Sequence, residues 1–475
     1  MNSNIEALFA SNRGLLVAPA GCGKTRLIAE AVALRQTPRR QLVLTHTHAG
    51  VYEIRKHLRL LKASSSQARV ETISGWALKY AASYPHSSGL LFDEPETTEQ
   101  WNAVHEAATR LLKNAHVGRV VENSYSGIMV DEYQDCSRPQ HQLILAVAEL
   151  LPCRVLGDPL QGIFDFSGSV DWKTDVVPNF DQLPPLEKPW RWEQENANRG
   201  LGQWLLRVRE QIQSGKDVLL QHAPAVWKHL DPVYGAQAQL AECKRMVNNI
   251  GESVVAINKW PNQHHSLTSR LKGLFTCVEA IDCPELFQFA IDFEQKSGPQ
   301  RAAAVLEFAS ICMTKVKSQL HSAIVSYSSG KSYKPHANAD APHFAALHRV
   351  ASENTMSAIR PALQRLAELP DNRIHRRELY DEMILALCDY SMGTHTSLRE
   401  AAWSVRSRTR TSGRKLGLRV AGSTLLVKGM EFQHALILDA DKLNSKELYV
   451  AMTRGTQSLT IFSKSPVLRP HLNST

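Results

Sequence analysis

The sequence predicts an α/β protein with two domains, each a parallel sheet flanked by helices, and a mainly helical insertion in the second domain. In the first third of the chain, short apolar runs alternate with amphipathic stretches, which is typical of parallel strands joined by helical crossovers. The same alternation returns near residue 253 and near the C-terminus. Residues from about 270 to 410 have the apolar spacing of helices instead. The length of 475 residues also exceeds that of one ordinary core.

Each predicted strand is a short apolar run bounded by turn residues. Amphipathic stretches between the runs predict helices, for example at residues 26–34 and 51–61. A proline-rich stretch at residues 182–189 predicts a linker between the two domains. The runs that predict strands lie at residues 14–17, 41–44, 127–130, 153–156, 253–257, 435–438 and 459–462.

These elements predict the domain boundaries. The first core domain covers residues 1–185 and has a small insertion at about 78–122. The second core domain is formed by residues 190–270 together with 411–475. The helical insertion within it covers residues 271–410.

The composition excludes several classes of protein. The chain is 43% hydrophobic and 21% charged, as in globular proteins and unlike collagen-like, coiled-coil or disordered chains. It has neither a membrane-spanning apolar run nor a signal peptide, so we expect a cytoplasmic protein without a membrane partner. The net charge of +9 suits a polyanion such as nucleic acid, although many other proteins are equally basic. The eight cysteines form no CxxC pair, which favours reduced, buried thiols.

A glycine-containing segment joins the first predicted strand to the first amphipathic helix. It reads Ala-Pro-Ala-Gly-Cys-Gly-Lys-Thr and ends at Thr25. Its glycines let the backbone curl around a phosphate, and N–H groups at a helix N-terminus bind anions. Lys24 would reach the β- and γ-phosphates, and the Thr25 hydroxyl would bind Mg²⁺. The alternative is a glycine-containing turn without a nucleotide. The candidate nucleotide-binding residues here are Ala20, Gly21, Cys22, Gly23, Lys24 and Thr25.

Two acidic residues, Asp131 and Glu132, follow the predicted strand at residues 127–130. The carboxyl ends of parallel strands are where α/β sheets bind ligands. Asp131 is suited to hold Mg²⁺, and Glu132 to orient and deprotonate an attacking water. An acidic turn is also common without any catalytic role, so the interpretation depends on the glycine-containing segment upstream.

Two later segments contain further candidate side chains. Gln161 follows the predicted strand at 153–156 and is suited to sense a γ-phosphate. Phe164 and Phe166 are placed to stack on bases, although core packing explains them almost equally well. Arg191 and Arg454 are candidates to stabilise charge on the γ-phosphate, and ordinary surface arginines are the alternative.

Taken in order, these segments resemble the motif series of superfamily 1 helicases of the UvrD/Rep type. The segments are AxxGxGKT, DEYQD, GDPxQ, a Trp-Arg pair, VKGMEF and YVAMTR. The resemblance implies two RecA-like P-loop domains that hydrolyse ATP with Mg²⁺ and move 3′→5′ on single-stranded DNA. The compact build also resembles the helicase-like subunit of Gabija-type antiphage systems. That second resemblance implies a nuclease or other protein partner and a role in antiphage defence or DNA repair.

The resemblance supports the roles inferred above for the phosphate loop, the two acids, Gln161 and the two arginines. It also implies contacts that the residues alone did not suggest. An aromatic residue and a basic residue would contact adenine, an acid would meet the ribose, and two threonines would touch the DNA backbone. These residues are Trp190 and Arg26 at the adenine, Glu431 with Gly429 in the nucleotide site, and Thr45 and Thr72 at the DNA.

The sequence departs from the helicase pattern mainly at DNA-contacting positions. His46 replaces an aromatic residue, and Ser74 and Leu425 replace histidines, whereas every hydrolytic position is kept. Asn4 also stands where an adenine-reading glutamine is expected. Two functions therefore stay open. One is an ATP-driven translocase or helicase, and the other is a DNA-triggered ATPase sensor that regulates a nuclease complex and unwinds little DNA.

Two other clusters of polar residues carry weaker predictions. The His264-His265 pair is interpreted as part of a solvated loop rather than as a metal-binding pair. The basic run that begins at Arg406 and includes Arg408 and Arg414 is either a solvated face or a grip for DNA phosphates.

Overall fold

The computed structural model divides into two compact units. Unit 1 comprises residues 1–218, 444–457 and 469–475, and unit 2 comprises residues 219–443 and 458–468. The unit boundaries differ from the predicted domain boundaries, because residues 190–218 and 444–457 fall in unit 1, and the division into two core domains and an insertion stays a prediction. The structure describes residues 2–34, 37–90, 95, 97–163, 168–248, 251–280, 282–335, 341–353, 355–412, 414 and 416–470.

Among the described residues, twelve strands form two six-stranded sheets, and two further strands pair with each other. In chain order they are β1 (Arg13–Val17), β2 (Arg40–Thr45), β3 (Ala68–Thr72), β4 (Tyr125–Val130), β5 (Cys153–Gly157), β6 (Asp181–Gln182), β7 (Val218–Leu219), β8 (Val226–His229), β9 (Val254–Asn258), β10 (Thr276–Cys277), β11 (Arg419–Ser423), β12 (Phe432–Ile437), β13 (Gly455–Ser463) and β14 (Val467–Leu468). The first sheet has the order β3-β2-β4-β5-β1-β6, and the second has the order β10-β11-β9-β12-β13-β8.

Helices account for most of the remaining regular structure. In chain order they are α1 (Asn2–Ala10), α2 (Lys24–Leu34), α3 (His48–Leu60), α4 (Ile73–Ser83), α5 (Pro85–Ser88), α6 (Thr98–Leu112), α7 (Ala115–Ser124), α8 (Arg138–Ala148), α9 (Arg199–Gln213), α10 (Gly235–Met246), α11 (Pro261–Arg270), α12 (Pro284–Gln295), α13 (Gly298–Cys312), α14 (Val316–Gln319), α15 (His321–Ser328), α16 (Pro342–Glu353), α17 (Ile359–Ala367), α18 (Arg377–Ser391), α19 (Leu398–Ser412), α20 (Thr424–Val427) and α21 (Ser445–Met452). Among the described residues, no helix is both long and apolar enough to cross a membrane.

The sheet of unit 1 is parallel throughout, as the apolar runs predicted. Every residue of β5 is buried, because helices cover both faces of the sheet. β1 and β4 both pair with β5, so the turns that follow them leave the same edge of the sheet on either side of one strand. This arrangement places the glycine-containing segment beside the acidic turn.

Unit 2 contains a second sheet and a helical core. β10, β11, β9 and β12 pair in parallel, and every residue of β9 is buried. Helices α12 to α19 surround a separate apolar core, whose buried members all lie between Cys283 and Val405. The predicted fold class, with parallel sheets flanked by helices and a mainly helical insertion, is therefore confirmed.

Two predictions from the sequence are wrong at the level of local structure. The proline-rich stretch is not a bare linker: Asp181–Gln182 forms the edge strand β6, and Leu186 is buried with its N–H bonded to Val17 O. The His264-His265 pair lies on helix α11 and not in a loop, with His264 buried.

Candidate nucleotide-binding site

The glycine-containing segment forms a tight loop between β1 and α2. Its backbone enters the left-handed region at Gly21 (φ 71°) and Gly23 (φ 85°). A Cβ atom on Gly21 would lie 2.5 Å from Cζ3 of Trp192, so a side chain does not fit there. Ala18 is not among the described residues with positive φ, which explains why alanine is tolerated where the usual pattern has glycine.

The loop and the acidic turn meet through two side-chain contacts. The Thr25 hydroxyl donates a hydrogen bond of 2.9 Å to Oδ2 of Asp131. Nζ of Lys24 lies 3.4 Å from Oε1 of Glu132. Lys24 and Asp131 are both buried. Four residues that the sequence analysis assigned to one site are thus in contact, although 106 positions separate Thr25 from Asp131.

Burial makes the electrostatics of this contact unusual. It raises the pKa of Asp131 from 3.8 to about 6, and repulsion from Glu132 adds to the shift while Lys24 opposes it. For Lys24, burial alone would lower the pKa, but the carboxylates of Glu132 and Asp131 outweigh burial and raise it. The site therefore holds a firmly charged lysine and a carboxyl group that loses its proton at a higher pH than an ordinary aspartate does.

Glu132 has a backbone conformation that non-glycine residues rarely adopt. Its φ of 55° and ψ of 41° lie in the left-handed region, and such strain is often found at functional sites. Its Oε2 accepts a hydrogen bond from Nε2 of Gln134. Oε1 of Gln134 in turn accepts from the N–H of Asp158, 3.0 Å away. The sequence analysis missed Gln134, whose place two residues after the proposed base was the available signal.

Gln161 lies in a buried polar cluster after β5. Its Nε2 donates to Oδ2 of Asp158 at 3.1 Å, and Oδ1 of Asp158 pairs with Nη2 of Arg209 at 3.0 Å. Asp158 is fully buried, so the ion pair to Arg209 offsets the cost of burying its charge. Arg209 lies on α9 and was not singled out from the sequence, because its partner is remote in the chain.

Aromatic and basic side chains lie beside the phosphate loop. The guanidinium carbon of Arg26 lies 4.9 Å from the ring centroid of Trp190, and Nζ of Lys188 lies 3.9 Å from it. The N–H of Arg191 donates to Gly21 O, and its Nη1 donates to Thr453 O at 2.9 Å. The structure thus brings Arg26, Trp190 and Arg191 to the loop.

The end of α21 belongs to the same compact unit as the loop. The hydroxyl of Tyr449 accepts a hydrogen bond of 3.1 Å from the N–H of Ala20. Arg454 is buried, and its side chain donates to Val450 O and to the Thr453 hydroxyl. Tyr449 stands in the quoted segment YVAMTR, but the sequence analysis gave it no role.

Other candidate residues lie outside this group. Gly429 and Glu431 lie between α20 and β12 in unit 2. Thr45 and Thr72 end neighbouring strands and are paired in register. The Thr72 hydroxyl accepts from the N–H of Gly75 and caps α4, and Thr47, which was not predicted, caps α3 in the same way. Phe164 and Phe166 lie outside the described residues.

The basic run on α19 is not a solvated face throughout. Arg406 is buried, and its Nη1 lies 2.6 Å from both carboxylate oxygens of Glu382. Arg414 pairs with Glu378, at 3.3 Å. Arg408 pairs with Asp389 at the surface. These partners make a phosphate grip by Arg406 untenable.

In a candidate metal-binding group of unit 2, an arginine already balances the charge of the carboxylate. Ligand atoms of His265, Cys277 and Glu279 lie within 4.8 Å of one another. Both carboxylate oxygens of Glu279, however, accept hydrogen bonds from Arg376. The positive charge of Arg376 contributes to a lowered pKa of His265, second to burial. The guanidinium of Arg376 therefore binds Glu279 where a metal cation would otherwise do so.

The parallel sheets, with a phosphate-loop pattern meeting an acidic turn at the carboxyl edge of unit 1, define an α/β fold of the RecA-like P-loop class. Within this class, residues 97–172 match the family model for the UvrD/REP helicase N-terminal domain. The matched segment contains Asp131, Glu132 and Gln161, and it does not include the phosphate loop. No curated protein matches the sequence.

One similar solved structure is the crystal structure of Pif1 helicase from Bacteroides in complex with ADP-AlF3 and single-stranded DNA. It shares 12% sequence identity with this chain, at a TM-score of 0.29. The alignment covers 56% of this chain and 55% of that chain. The chain thus spans little more than half the length of this relative.

Proposed function

We propose that this chain is an ATP hydrolase that couples turnover to movement on single-stranded DNA, as a translocase or helicase of superfamily 1. The observation that carries the proposal is the meeting of Lys24 and Thr25 with Glu132 and Asp131 at one sheet edge. The match of residues 97–172 to the UvrD/REP helicase N-terminal domain supports it, because that segment contains both acids.

In this proposal the protein holds ATP by its phosphates. N–H groups of the phosphate loop and the Lys24 ammonium bind the phosphate oxygens. Glu132 accepts a proton from the attacking water, and the hydrogen bond from Gln134 fixes the orientation of its carboxylate. Trp190 and Arg26, already stacked on each other beside the loop, are proposed to hold the adenine.

The donor set fits Mg²⁺. The Thr25 hydroxyl and the Asp131 carboxylate are hard oxygen donors 2.9 Å apart, and Mg²⁺ prefers such ligands. The raised pKa of Asp131, about 6, is what a buried carboxyl group without a sufficient countercharge shows. When bound, Mg²⁺ supplies positive charge to the phosphates. Thr25 and Asp131 are the residues that would hold it.

We extend the proposal to residues that would contact the γ-phosphate and to residues that would contact DNA. Gln161 and Arg191 would contact it, and Arg454 would do so after exchanging its present bonds to Val450 O and Thr453 Oγ1. Gly429 and Glu431 are also proposed as nucleotide-binding residues. The DNA backbone is assigned to Thr45 and Thr72, and stacking on bases to Phe164 and Phe166. The direction of movement is proposed to be 3′→5′.

A second candidate function is a DNA-triggered ATPase that regulates a nuclease partner, in antiphage defence or DNA repair. The observation that favours it concerns side chains at positions where the helicase family contacts DNA. Two of these side chains make contacts within the protein instead. The Thr72 hydroxyl caps α4, and Nε2 of His46 lies 3.3 Å from Sγ of Cys136. Side chains engaged in this way have less freedom to follow a moving strand.

The test is ATP hydrolysis by the purified chain with and without single-stranded DNA, alongside Glu132→Gln and Lys24→Ala. We expect DNA to stimulate hydrolysis and each substitution to lower kcat by about a hundredfold or more, since each removes a group that acts in the transition state. Near-normal turnover in either variant would refute the site. Displacement of a strand from a tailed duplex would then separate the motor from the sensor.

A further inference from the structure

We propose that Trp260 is a base-stacking platform for single-stranded DNA at the carboxyl edge of the second sheet. The inference rests on the proposed function and adds a nucleic-acid contact in unit 2. It is argued from an exposed aromatic ring, a neighbouring cation and two buried polar atoms that lie at the same edge.

Trp260 presents a large aromatic ring to solvent from a fixed backbone. The residue is 54% exposed, although tryptophan side chains are usually buried for most of their surface. It immediately precedes α11, where its N–H donates to Oε1 of Gln263 at 3.2 Å. Pro261 then fixes φ at the first helical position. An aromatic ring on a preorganised backbone loses little conformational entropy when it binds a flat ligand.

A positive charge lies next to the ring. Nζ of Lys259 is 5.4 Å from the ring centroid of Trp260. Proteins that bind single strands without sequence preference combine aromatic rings, on which bases stack, with cations that follow the phosphates. Lys259 and Trp260 supply both groups in consecutive residues, directly after β9.

The strand end beside Trp260 also carries polar atoms with spare bonding capacity. Asn258 is the last residue of β9 and is paired in register with Ser423, the last residue of β11, which precedes Thr424. Nδ2 of Asn258 and Oγ1 of Thr424 are buried and have no hydrogen-bond partner within the described part of the chain. Leaving such groups unpaired costs free energy, and side-chain rotation toward the surface would let oxygens of a sugar–phosphate backbone recover it.

These features select one kind of ligand. A protein partner would gain most from a continuous apolar patch, whereas Trp260 is flanked by Lys259 and by the polar ends of β9 and β11. Duplex DNA stacks its bases internally and offers no free base face to an indole ring. A single strand offers a base to the ring and a phosphate to the lysine.

The test compares binding of two fluorescent probes: a short oligodeoxythymidine, and a sugar–phosphate strand of the same length that lacks bases. The proteins are the full chain, Trp260→Ala, Trp260→Phe and Trp403→Ala. Trp403 is the matched control, because it is 53% exposed but lies on α19 in the helical core. Fluorescence anisotropy at fixed salt gives each Kd, since phosphate contacts make the affinity depend on salt.

We expect Trp260→Ala to weaken binding of oligodeoxythymidine roughly tenfold or more, with Trp260→Phe retaining most of the affinity. Trp403→Ala should bind as the unaltered chain does. The strand without bases should bind all four proteins equally. The inference is overturned if Trp260→Ala binds oligodeoxythymidine normally, or if it loses the same factor on the strand without bases.

The same measurements separate this inference from the proposed function. If the unaltered chain binds neither probe and single-stranded DNA does not stimulate its ATPase, the proposed function fails and the inference fails with it. If DNA binds and stimulates hydrolysis but Trp260→Ala is unaffected, the inference about Trp260 alone is wrong.

Discussion

Two buried clusters of charge in this chain are built in opposite ways. At the carboxyl edge of the unit 1 sheet, the carboxylates of Asp131 and Glu132 lie beside Lys24. In the helical part of unit 2, the guanidinium of Arg406 is held by Glu382 and Glu378, and Arg414 also pairs with Glu378. The first cluster has an excess of negative charge beside a phosphate-loop pattern, and in the second each charge faces its partners at close range. The contrast suggests that the first is kept for a ligand and the second for stability.

The pKa values express the same contrast. Burial and then Glu132 raise the pKa of Asp131 to about 6, so its charged form is disfavoured. For Arg406, burial would lower the pKa, but the carboxylates of Glu382 and Glu378 outweigh burial and raise it. The charged form is thus penalised for Asp131 and stabilised for Arg406. Removing the charge of Asp131 and removing the charge of Arg406 should therefore have opposite effects on stability.

The largest effect is expected for Arg406→Met. The substitution leaves the buried Glu382 without its cation, which typically costs about 3–5 kcal/mol in the free energy of unfolding, whereas Glu378 keeps its contact with Arg414. Urea unfolding followed by circular dichroism measures this loss. The matched control is Arg408→Met on the same helix, whose exposed ion pair with Asp389 is worth at most about 1 kcal/mol. Equal losses in the two variants would contradict the assignment of Arg406 to a stabilising network.

For Asp131→Asn in the absence of Mg²⁺, we expect a smaller change in the free energy of unfolding and in the opposite direction, so that the variant is more stable at neutral pH. The folded pKa of Asp131, about 6, lies above its ordinary value of 3.8. The folded state therefore binds the proton more tightly, so stability from this group is present below about pH 4 and is lost as the pH rises through 6. The shift corresponds to roughly 3 kcal/mol, and the variant would not lose this stability because its amide does not ionise.

Melting temperatures in EDTA between about pH 4 and pH 7 test this prediction. As the pH rises, the melting temperature of the variant should increase relative to that of the unaltered chain. Mg²⁺ should raise the melting temperature of the unaltered chain more than that of the variant. A variant that is less stable at every pH, with an unchanged response to Mg²⁺, would show that Asp131 is a structural carboxylate.

Local patterns made the fold class and much of the candidate site predictable. The phosphate loop and the acidic turn each follow an apolar strand, and parallel strands bring such turns to one edge. Residues that depend on remote partners were not predictable. Arg406 was assigned either to a solvated face or to a DNA grip, because Glu382, which holds it, is 24 positions away and on another helix. β3 was missed because its sequence, ARVET, lacks an apolar run.

The same limit explains why Arg209 was missed. Its partner Asp158 is 51 positions away, and no spacing rule connects an arginine on α9 with the end of β5. The register of the sheet and the position of α9 must both be known before the pair is visible. Sequence patterns therefore identify groups that follow strands, whereas the residues that position those groups emerge from tertiary packing.

The smallest expected effect is on kcat, and it tests the ion pair between Arg209 and Asp158. This pair lies at the candidate site, but its two charges balance each other. Arg209 holds Asp158 at 3.0 Å, and Asp158 accepts a hydrogen bond from Gln161 at 3.1 Å. We expect Arg209→Met to release Gln161 from its position and lower kcat of DNA-stimulated ATP hydrolysis about tenfold, with little change in KM. If Arg209 acts through Gln161, Arg209→Met should cost little further activity in a Gln161→Ala background, because residues in one network are not additive. Additive losses of activity would mean that Arg209 does not act through Gln161 and only stabilises the fold. The ion pair of Arg209 with Asp158 would then have the same role as the Arg406 network of unit 2.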